Sequence, residues 1–256
     1  MIKSQAMKHC RWGYRLLLGL LRCRGLQINH KKFLKIYRQE NLQIGKRTRA
    51  KKLRVERIKS EMPEKINQRW SMDFMYDILE NKRSYRVFNV IDDYNRECLV
   101  CKAGRRFGGY DVSNMLDEAI KKYGKPEVIK SDNGSEFRSH HMRKWSEERG
   151  IKLEYIEAGK PTQNAQIESF NGTLREEELR INEYENLKEV QKRLDKWREI
   201  YNKERPHSSL GYAPPASRRR SLESVFDKRL EKSNKNKTIT INEKITQTYQ
   251  IPLSIL

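Results

Sequence analysis

Long apolar runs are missing from this 256-residue sequence, which limits the classes of protein that it can encode. No stretch of 18 apolar residues occurs, and the best candidate, LLLGLL at 16–21, is closed by Arg22 and Arg24. A helix that spans a bilayer needs about 20 such residues. The N-terminus also lacks the apolar core of a signal peptide. We therefore expect a cytoplasmic protein with no membrane partner.

Cysteine is also scarce, and the four residues present form no complete metal motif. Cys98 and Cys101 have the C-x-x-C form, but no second pair follows at zinc spacing. The pair lies in a strand-like run, where positions i and i+3 point to opposite faces. The sequence therefore predicts reduced structural thiols rather than a zinc or redox site.

Acidic residues are rare in the first quarter of the chain. Residues 1–60 contain 18 lysines and arginines but only two glutamates, and the whole chain has a formal net charge of +21. We expect a polyanionic partner, because each basic side chain that docks on a phosphate releases condensed counterions. Charge alone does not separate DNA from RNA or from an anionic membrane surface.

Residues 1–45 are predicted to form a small helix-turn-helix module. Leucines at positions 16, 17, 20 and 21 recur at helical spacing, and Gly25 ends that helix. Asn29 can cap a second helix. The wetter side of that helix carries the basic residues Lys31, Lys32, Lys35 and Arg38. Such a pair of helices favours a DNA reader, and the alternative is a hairpin whose basic face is only solvated.

The rest of the chain divides into three predicted segments. Residues 46–63 form a basic linker, residues 64–220 a folded domain, and residues 221–256 a weakly ordered tail rich in Lys, Asn and Thr. Three strand-like runs with short gaps begin the domain and predict an antiparallel meander. Helices and strands then alternate, which indicates an α+β or mixed-sheet outline.

Three carboxylates of this domain occupy positions where a surface role would be unusual. Asp73 interrupts an apolar run, and its burial would be costly without a cation or hydrogen-bond donors. Asp132 follows a short strand, at the end where open sheets place their sites. One helix carries a polar stripe of Asn164, Glu168, Asn171 and Arg175. Each acid alone is better explained as a structural residue.

Brought together, three carboxylates would repel one another. A pair of like charges near 4 Å costs roughly 4 kcal/mol at an effective dielectric of about 20. Hard divalent cations relieve this repulsion, and oxygen-only ligands select Mg²⁺ or Mn²⁺ over zinc. Two such ions would suit in-line phosphoryl displacement.

Several motifs, taken in order, resemble those of one enzyme family. WSMDF, NVIDDYNRE, SDNGSEF, GKPTQNAQIESFNGTLREE and YNKERPHSSLGYAPPA are similar to signatures of the insertion-sequence DDE transposases, which have a retroviral-integrase-like catalytic core. The likeness runs from about Trp12 to Ala216 and is greatest to bacterial elements whose catalytic protein is the second reading frame. The 59 positions from Asp73 to Asp132 and the 36 from there to Glu168 match the family's pattern.

The resemblance implies an α/β fold: an RNase H-like mixed five-stranded sheet with flanking helices, preceded by the helix-turn-helix module. It implies that Asp73, Asp132 and Glu168 bind two Mg²⁺ (or Mn²⁺) ions, with Asp73 bridging both. The implied reaction is metal-dependent 3′-end cleavage and strand transfer of an insertion sequence, by two-metal in-line phosphoryl transfer. DNA-contacting or supporting roles are implied for Arg175, Asn133 and Asn164.

The implied partners are double-stranded DNA, as the element's terminal inverted repeats and as target DNA, and other copies of the chain assembled on that DNA. An upstream-frame protein, as partner or fusion, and a location at the bacterial nucleoid are expected too. Asp92 and Asp93 are assigned to turn structure or to support away from the metals. His207 is assigned to loop ordering, with DNA contact as its alternative.

Two other functions stay open. The chain could be a catalytically incomplete remnant that binds element ends and represses the element, or a nuclease that cuts RNA in hybrids. Two stretches depart from the family pattern: the glycine-rich GRRFGGY at 104–110 and the 36-residue tail after Arg220.

Overall fold

A computed structural model describes residues 1–45, 62–157 and 164–219 of the chain. Most of the predicted linker and all of the predicted tail lie outside the described residues. Residues 1–216 form one compact unit, and residues 217–256 are a second. In the described ranges, no helix combines the length and apolar character that a membrane span needs.

A five-stranded mixed sheet forms the centre of the first unit. Its strands are β1 (Arg69–Ile78), β2 (Ser84–Asp92), β3 (Cys98–Gly104), β4 (Val128–Ser131) and β5 (Lys152–Tyr155), in the order β3-β2-β1-β4-β5. The first three pair antiparallel, which confirms the predicted meander. β4 pairs in parallel with β1, and β5 with β4. The predicted fold class, a mixed RNase H-like sheet with flanking helices, is confirmed.

Helices cover both faces of this sheet. They are α4 (Gly109–Tyr123), α5 (His140–Arg149), α6 (Ala165–Leu174), a π turn (Arg175–Leu179) and α7 (Leu187–Lys203). α4 and α5 pack with Trp70, Phe88 and Ile129 on one face. α6 and α7 pack with Met75 and Val87 on the other. Because side chains alternate along a strand, β1 and β2 supply both cores.

Two of these helices have irregular ends. The N-cap of α4 is Gly108, whose N–H donates to the Asp111 carboxylate at 2.8 Å. Asp111 therefore lies inside the first turn, where an acid favours the helix dipole. The helical segment that begins at Ala165 changes to the π turn at Arg175.

The prediction that Cys98 and Cys101 point to opposite faces is wrong. Both thiols are buried in the core beneath α6 and α7. Cys98 pairs with Ile91 and Val100 with Val90, so Leu99 is an extra residue in a β-bulge. A bulge shifts the alternation by one, which returns positions i and i+3 to the same face. Burial raises the pKa of the Cys98 thiol, in keeping with the predicted structural role.

Three helices precede the sheet: α1 (Ile2–Lys8), α2 (Tyr14–Cys23) and α3 (His30–Gln39). The last two lie where the sequence predicted them. Asn29 caps α3 by accepting from Lys31 N at 2.9 Å, and Gly25 follows α2 at φ +90°. The short α1 was not predicted. Ile200 of α7 packs against the apolar cluster of these helices, which joins them to the sheet domain.

Candidate active site

Asp73 lies on β1, on the sheet face that α6 covers. Its neighbour across the sheet is Asn89 of β2. Its Oδ1 accepts from the N–H of Phe74, and its Oδ2 accepts from Nδ2 of Asn171 at 2.8 Å. A half-buried carboxylate in an apolar strand is thus held from two sides by hydrogen-bond donors.

Asn171 is the link between the helix and this carboxylate. Its own Oδ1 accepts from Nδ2 of Asn89 at 2.9 Å, which turns its amide nitrogen toward Asp73. The sequence placed Asn171 on the polar stripe of its helix but gave it no role. Strand register, which a single sequence does not show, brings Asn89 and Asp73 together beneath it.

The pKa of Asp73 is raised to about 6. Burial is the largest cause, and the charges of Asp132 and Glu168 add to it. The hydrogen bonds from Phe74 and Asn171 act in the opposite direction, because they stabilise the ionised form. Both of the distant acids therefore act electrostatically on Asp73.

Asp132 and Glu168 approach Asp73 from different elements. Asp132 follows β4, and its Oδ1 accepts from the N–H of Gly134 at 2.9 Å. Glu168 is exposed in the first turn of α6. In the part of the chain that is described, no three His, Cys, Asp or Glu side chains are close enough to hold a metal ion.

A salt bridge supports the turn that carries Asp132. Arg86 of β2 pairs with Glu136, and both side chains are mostly buried. The Arg86 guanidinium also stacks over Phe74, 3.9 Å from the ring centre. The turn after β4 is thereby fixed to the strand beside β1. The sequence showed Glu136 inside SDNGSEF, but its distant partner was not predicted.

The two amides and the arginine expected to support the acids or touch DNA make no hydrogen bond to Asp73 among those described. Nδ2 of Asn133 donates to the Ile156 carbonyl at 2.8 Å, which joins the turn after β4 to the end of β5. Asn164 is buried, and its Oδ1 has no partner among the described residues. Nη2 of Arg175 lies 3.5 Å from the Tyr76 carbonyl oxygen. Their contacts with DNA stay predictions.

Asp92 and Asp93 have the structural role that the sequence assigned to them. Both are buried. Asp92 accepts from the backbone N–H groups of Asn67 and Tyr94, and Asp93 accepts from Arg69 at 2.7 Å. The basic residues expected to face DNA are all exposed on α3: Lys31, Lys32, Lys35 and Arg38.

Family models and curated relatives match this sequence over most of the described residues. Two models described as "Integrase core domain" match residues 63–161 and 149–215. The "Insertion element IS476 uncharacterized 39.2 kDa protein" of Xanthomonas euvesicatoria is 41% identical over 82% of this chain, which spans only 61% of that protein. The "Insertion element IS407 uncharacterized 31.7 kDa protein" of Burkholderia multivorans is 36% identical, over 80% of this chain and 74% of its own length.

A third relative has a more specific name. The "Putative transposase InsK for insertion sequence element IS150" of Escherichia coli is 30% identical over 76% of this chain and 72% of its own length. Among solved structures, the BIV integrase catalytic core matches 64% of this chain at 19% identity and a TM-score of 0.47. The family models and the identity to these insertion-element proteins show that the chain belongs to the insertion-sequence transposases that have a retroviral-integrase-like core.

Proposed function

We propose that the chain is a metal-dependent DNA transposase that cleaves the 3′ ends of its element and transfers them to target DNA. Asp73, Asp132 and Glu168 would carry the reaction. The observation that supports this most directly is the placement of the acids: Asp73 lies on β1, Asp132 follows the neighbouring parallel strand β4, and Glu168 lies in the first turn of α6, which packs on the same sheet. Residues 59 and 95 positions downstream of Asp73 are therefore carried by elements that neighbour β1.

The chemistry of these three donors fits Mg²⁺ or Mn²⁺. All are carboxylates, and their mutual repulsion provides the attraction for a hard cation. In the described residues the three carboxylates are not close enough to hold a metal ion together. Metal binding would therefore require the exposed Glu168 side chain to turn inward. Bound ions would activate the attacking oxygen and stabilise the leaving one.

The chain's own residues would orient these acids. Asn171 holds one oxygen of Asp73, and the Gly134 N–H holds one oxygen of Asp132. The other oxygen of Asp73 accepts from the Phe74 N–H. Orientation by such outer partners is worth roughly 10–100-fold in metal affinity or activity.

Residues 1–45 would act as the DNA-binding module, residues 46–63 as a basic linker and residues 64–220 as the catalytic domain, with 221–256 as a peripheral tail. The bound DNA would be the element's inverted repeats and the target, contacted by the basic side of α3 and by Arg175, Asn133 and Asn164. Further copies of the chain and an upstream-frame protein would complete the assembly, at the bacterial nucleoid.

The test compares Asp73→Asn with Asp77→Asn, two substitutions on the same face of β1. With Mg²⁺ or Mn²⁺ and DNA that carries an element end, we expect Asp73→Asn to abolish cleavage and strand transfer. The Kd of this variant for the same DNA should stay within about twofold of the wild-type Kd. For comparison, a tenfold change in Kd corresponds to about 1.4 kcal/mol. Asp77→Asn should cleave normally.

The rival function is a DNA-binding remnant that represses the element, which the absence of a three-carboxylate metal group from the described residues favours. It predicts that the wild-type chain binds end DNA but never cleaves it with either metal. Cleavage of RNA–DNA hybrid in preference to duplex DNA would instead support the nuclease.

A further inference from the structure

A polar cavity of about 320 Å³ lies outside the candidate active site. It is bounded by α2, by α6 and by the RPHSSLGY loop that follows α7. We call it the Arg96 cavity. Its polar lining includes Arg96, Ser169, Thr173, Arg205, His207 and Ser208. Among its described lining residues, two are arginines and none is acidic.

Arg96 occupies this cavity at three separate energetic costs. Its backbone is left-handed, at φ +65°, a conformation that favours Gly and Asn. The residue is 8% exposed, so burial of its charge is expensive, and burial lowers its pKa. Its Nη1 has no hydrogen-bond partner among the described residues. A residue with only a turn-forming role would be better replaced by Asn or Gly.

A second residue that lines the cavity also has a buried nitrogen without a partner. Nε2 of His207 is buried without a partner in the described ranges, and its ring stands edge-on to Tyr201. Arg205 is neutralised by Glu177, to which it donates at 2.9 Å. Arg96 makes no such salt bridge among the described residues, although the charges of Asp93 and Asp92 act on it, and serine and threonine hydroxyls supply further donors.

We propose that the Arg96 cavity binds a phosphate group of the DNA strand that is being processed. A planar guanidinium with hydroxyl donors fits phosphate oxygens. The inference rests on the proposed function for its choice of DNA. Ser169 follows Glu168 directly in α6, so a phosphate held here would fix the strand beside the helix that carries a reacting acid.

The alternative is an internal ion pair between Arg96 and Asp93. Oδ1 of Asp93 is also buried without a partner among the described residues, although Arg69 binds the other oxygen. The two arrangements predict opposite effects of Arg96→Asn on stability. If Arg96 pairs with Asp93, Arg96→Asn removes an ion pair and should lower stability. If the cavity is a phosphate site without its ligand, the same substitution removes backbone strain and a buried charge and should raise stability.

The first experiment measures Tm in chloride and in inorganic phosphate at equal ionic strength. The matched control is Lys82→Asn, because Lys82 is also a left-handed cation, at φ +63°, but is exposed in the β1–β2 turn. In chloride we expect Arg96→Asn to raise Tm by a few degrees. In phosphate we expect wild type and Lys82→Asn to gain Tm, and Arg96→Asn to gain less.

Equal phosphate gains in all three proteins would overturn the site, since general salt exclusion acts on each alike. A fall in the Tm of Arg96→Asn in chloride would also overturn it, in favour of the ion pair. Should that variant not fold, His207→Phe takes its place, because it keeps the ring against Tyr201 but removes Nε2. An undiminished phosphate gain in His207→Phe would then count against the site.

The second experiment identifies the source of the phosphate. We expect Arg96→Asn to bind a short DNA duplex several-fold more weakly, with a salt slope smaller by about one. Lys82→Asn should match wild type. Phosphate protection without any change in DNA binding would mean free phosphate, and would overturn the DNA assignment. Asp73→Asn should keep the protection, so a failure of the proposed catalysis leaves this result interpretable.

Discussion

Asn171 is the side chain on which the orientation of Asp73 depends. Its amide bridges Asn89 and Asp73, with hydrogen bonds of 2.9 and 2.8 Å. We expect Asn171→Leu to reduce DNA cleavage by roughly 10–100-fold and to raise the Mg²⁺ concentration needed for half-maximal rate. The comparison is with Asn114→Leu, on the exposed side of α4, which should cleave as wild type does. An unchanged Mg²⁺ requirement would mean that Asn171 acts only in packing.

His9 makes the stability of the N-terminal helices depend on pH. Its ring stacks on Trp12 with centres 3.9 Å apart, and its pKa is lowered to about 4. Burial is the main cause, Lys8 and Arg24 act in the same direction, and Glu204 opposes them. Since the unfolded chain takes up this proton near pH 6.5, stability is complete above that pH and falls as the pH drops toward 4.

We therefore expect the Tm of wild type to fall between pH 6.5 and 4, and that of His9→Phe to fall less steeply. Phe keeps the ring against Trp12 but takes up no proton. Burial also lowers the pKa of His207, to about 3. His207 therefore contributes part of the fall in Tm with pH in both proteins. Thermal unfolding across this pH range is the measurement, and parallel curves would show that His9 does not contribute.

The sequence indicates candidate acids but not their partners. Spaced acids inside recognisable motifs point to Asp73, Asp132 and Glu168, whose catalytic role stays a prediction. Asn171 and Arg86 act through strand register and through contacts between distant segments, which a single sequence does not specify. Arg96 was inconspicuous within NVIDDYNRE, because only its backbone angle and its burial distinguish it.

At the scale of elements, α2 approaches the loop after α7 through a glycine. A methyl group on Gly19 would lie 2.8 Å from Cδ1 of Tyr212 and 3.1 Å from Cβ of Pro206. The steric overlap in Gly19→Ala should cost about 1–3 kcal/mol of the free energy of unfolding. The better helix propensity of Ala offsets roughly 1 kcal/mol of this cost. Denaturant unfolding measures the difference.

Gly172 gives the matched substitution in α6, since nothing lies within 4 Å of an added methyl group there. Gly172→Ala should stabilise the protein by roughly 0.5–1 kcal/mol, because Ala has the better helix propensity. The two variants are expected to move in opposite directions. A stabilising Gly19→Ala would show that the loop yields easily to α2.

Elements with a regular period were predictable, and local irregularities were not. The meander and α3 with its Asn29 cap lie where the pattern of apolar residues indicated them. The bulge at Leu99 and the π turn at Arg175 each add one residue to a regular element. Such an insertion follows from the packing of neighbouring elements and leaves no period in the sequence.

At the scale of the whole molecule, charge is concentrated in residues 1–60, where 18 basic side chains accompany two acids. If α3 faces DNA, changing Lys31, Lys32 and Lys35 to Gln should weaken binding and reduce the slope of log K against log salt by up to about 2.7. The control changes three exposed lysines of α7 to Gln: Lys188, Lys192 and Lys196. Equal loss in both triple variants would assign the effect to net charge alone.

Because of the bulge at Leu99, the rate of cysteine alkylation can measure local opening of this molecule. It leaves two reduced sulfur atoms, of Cys98 and Cys101, facing the same interior between β3 and α7. An alkylating reagent reaches them only when that interior opens, so the speed of alkylation reports how often α7 lifts from the sheet. Adding DNA to such an assay would show whether DNA binding makes this opening less frequent.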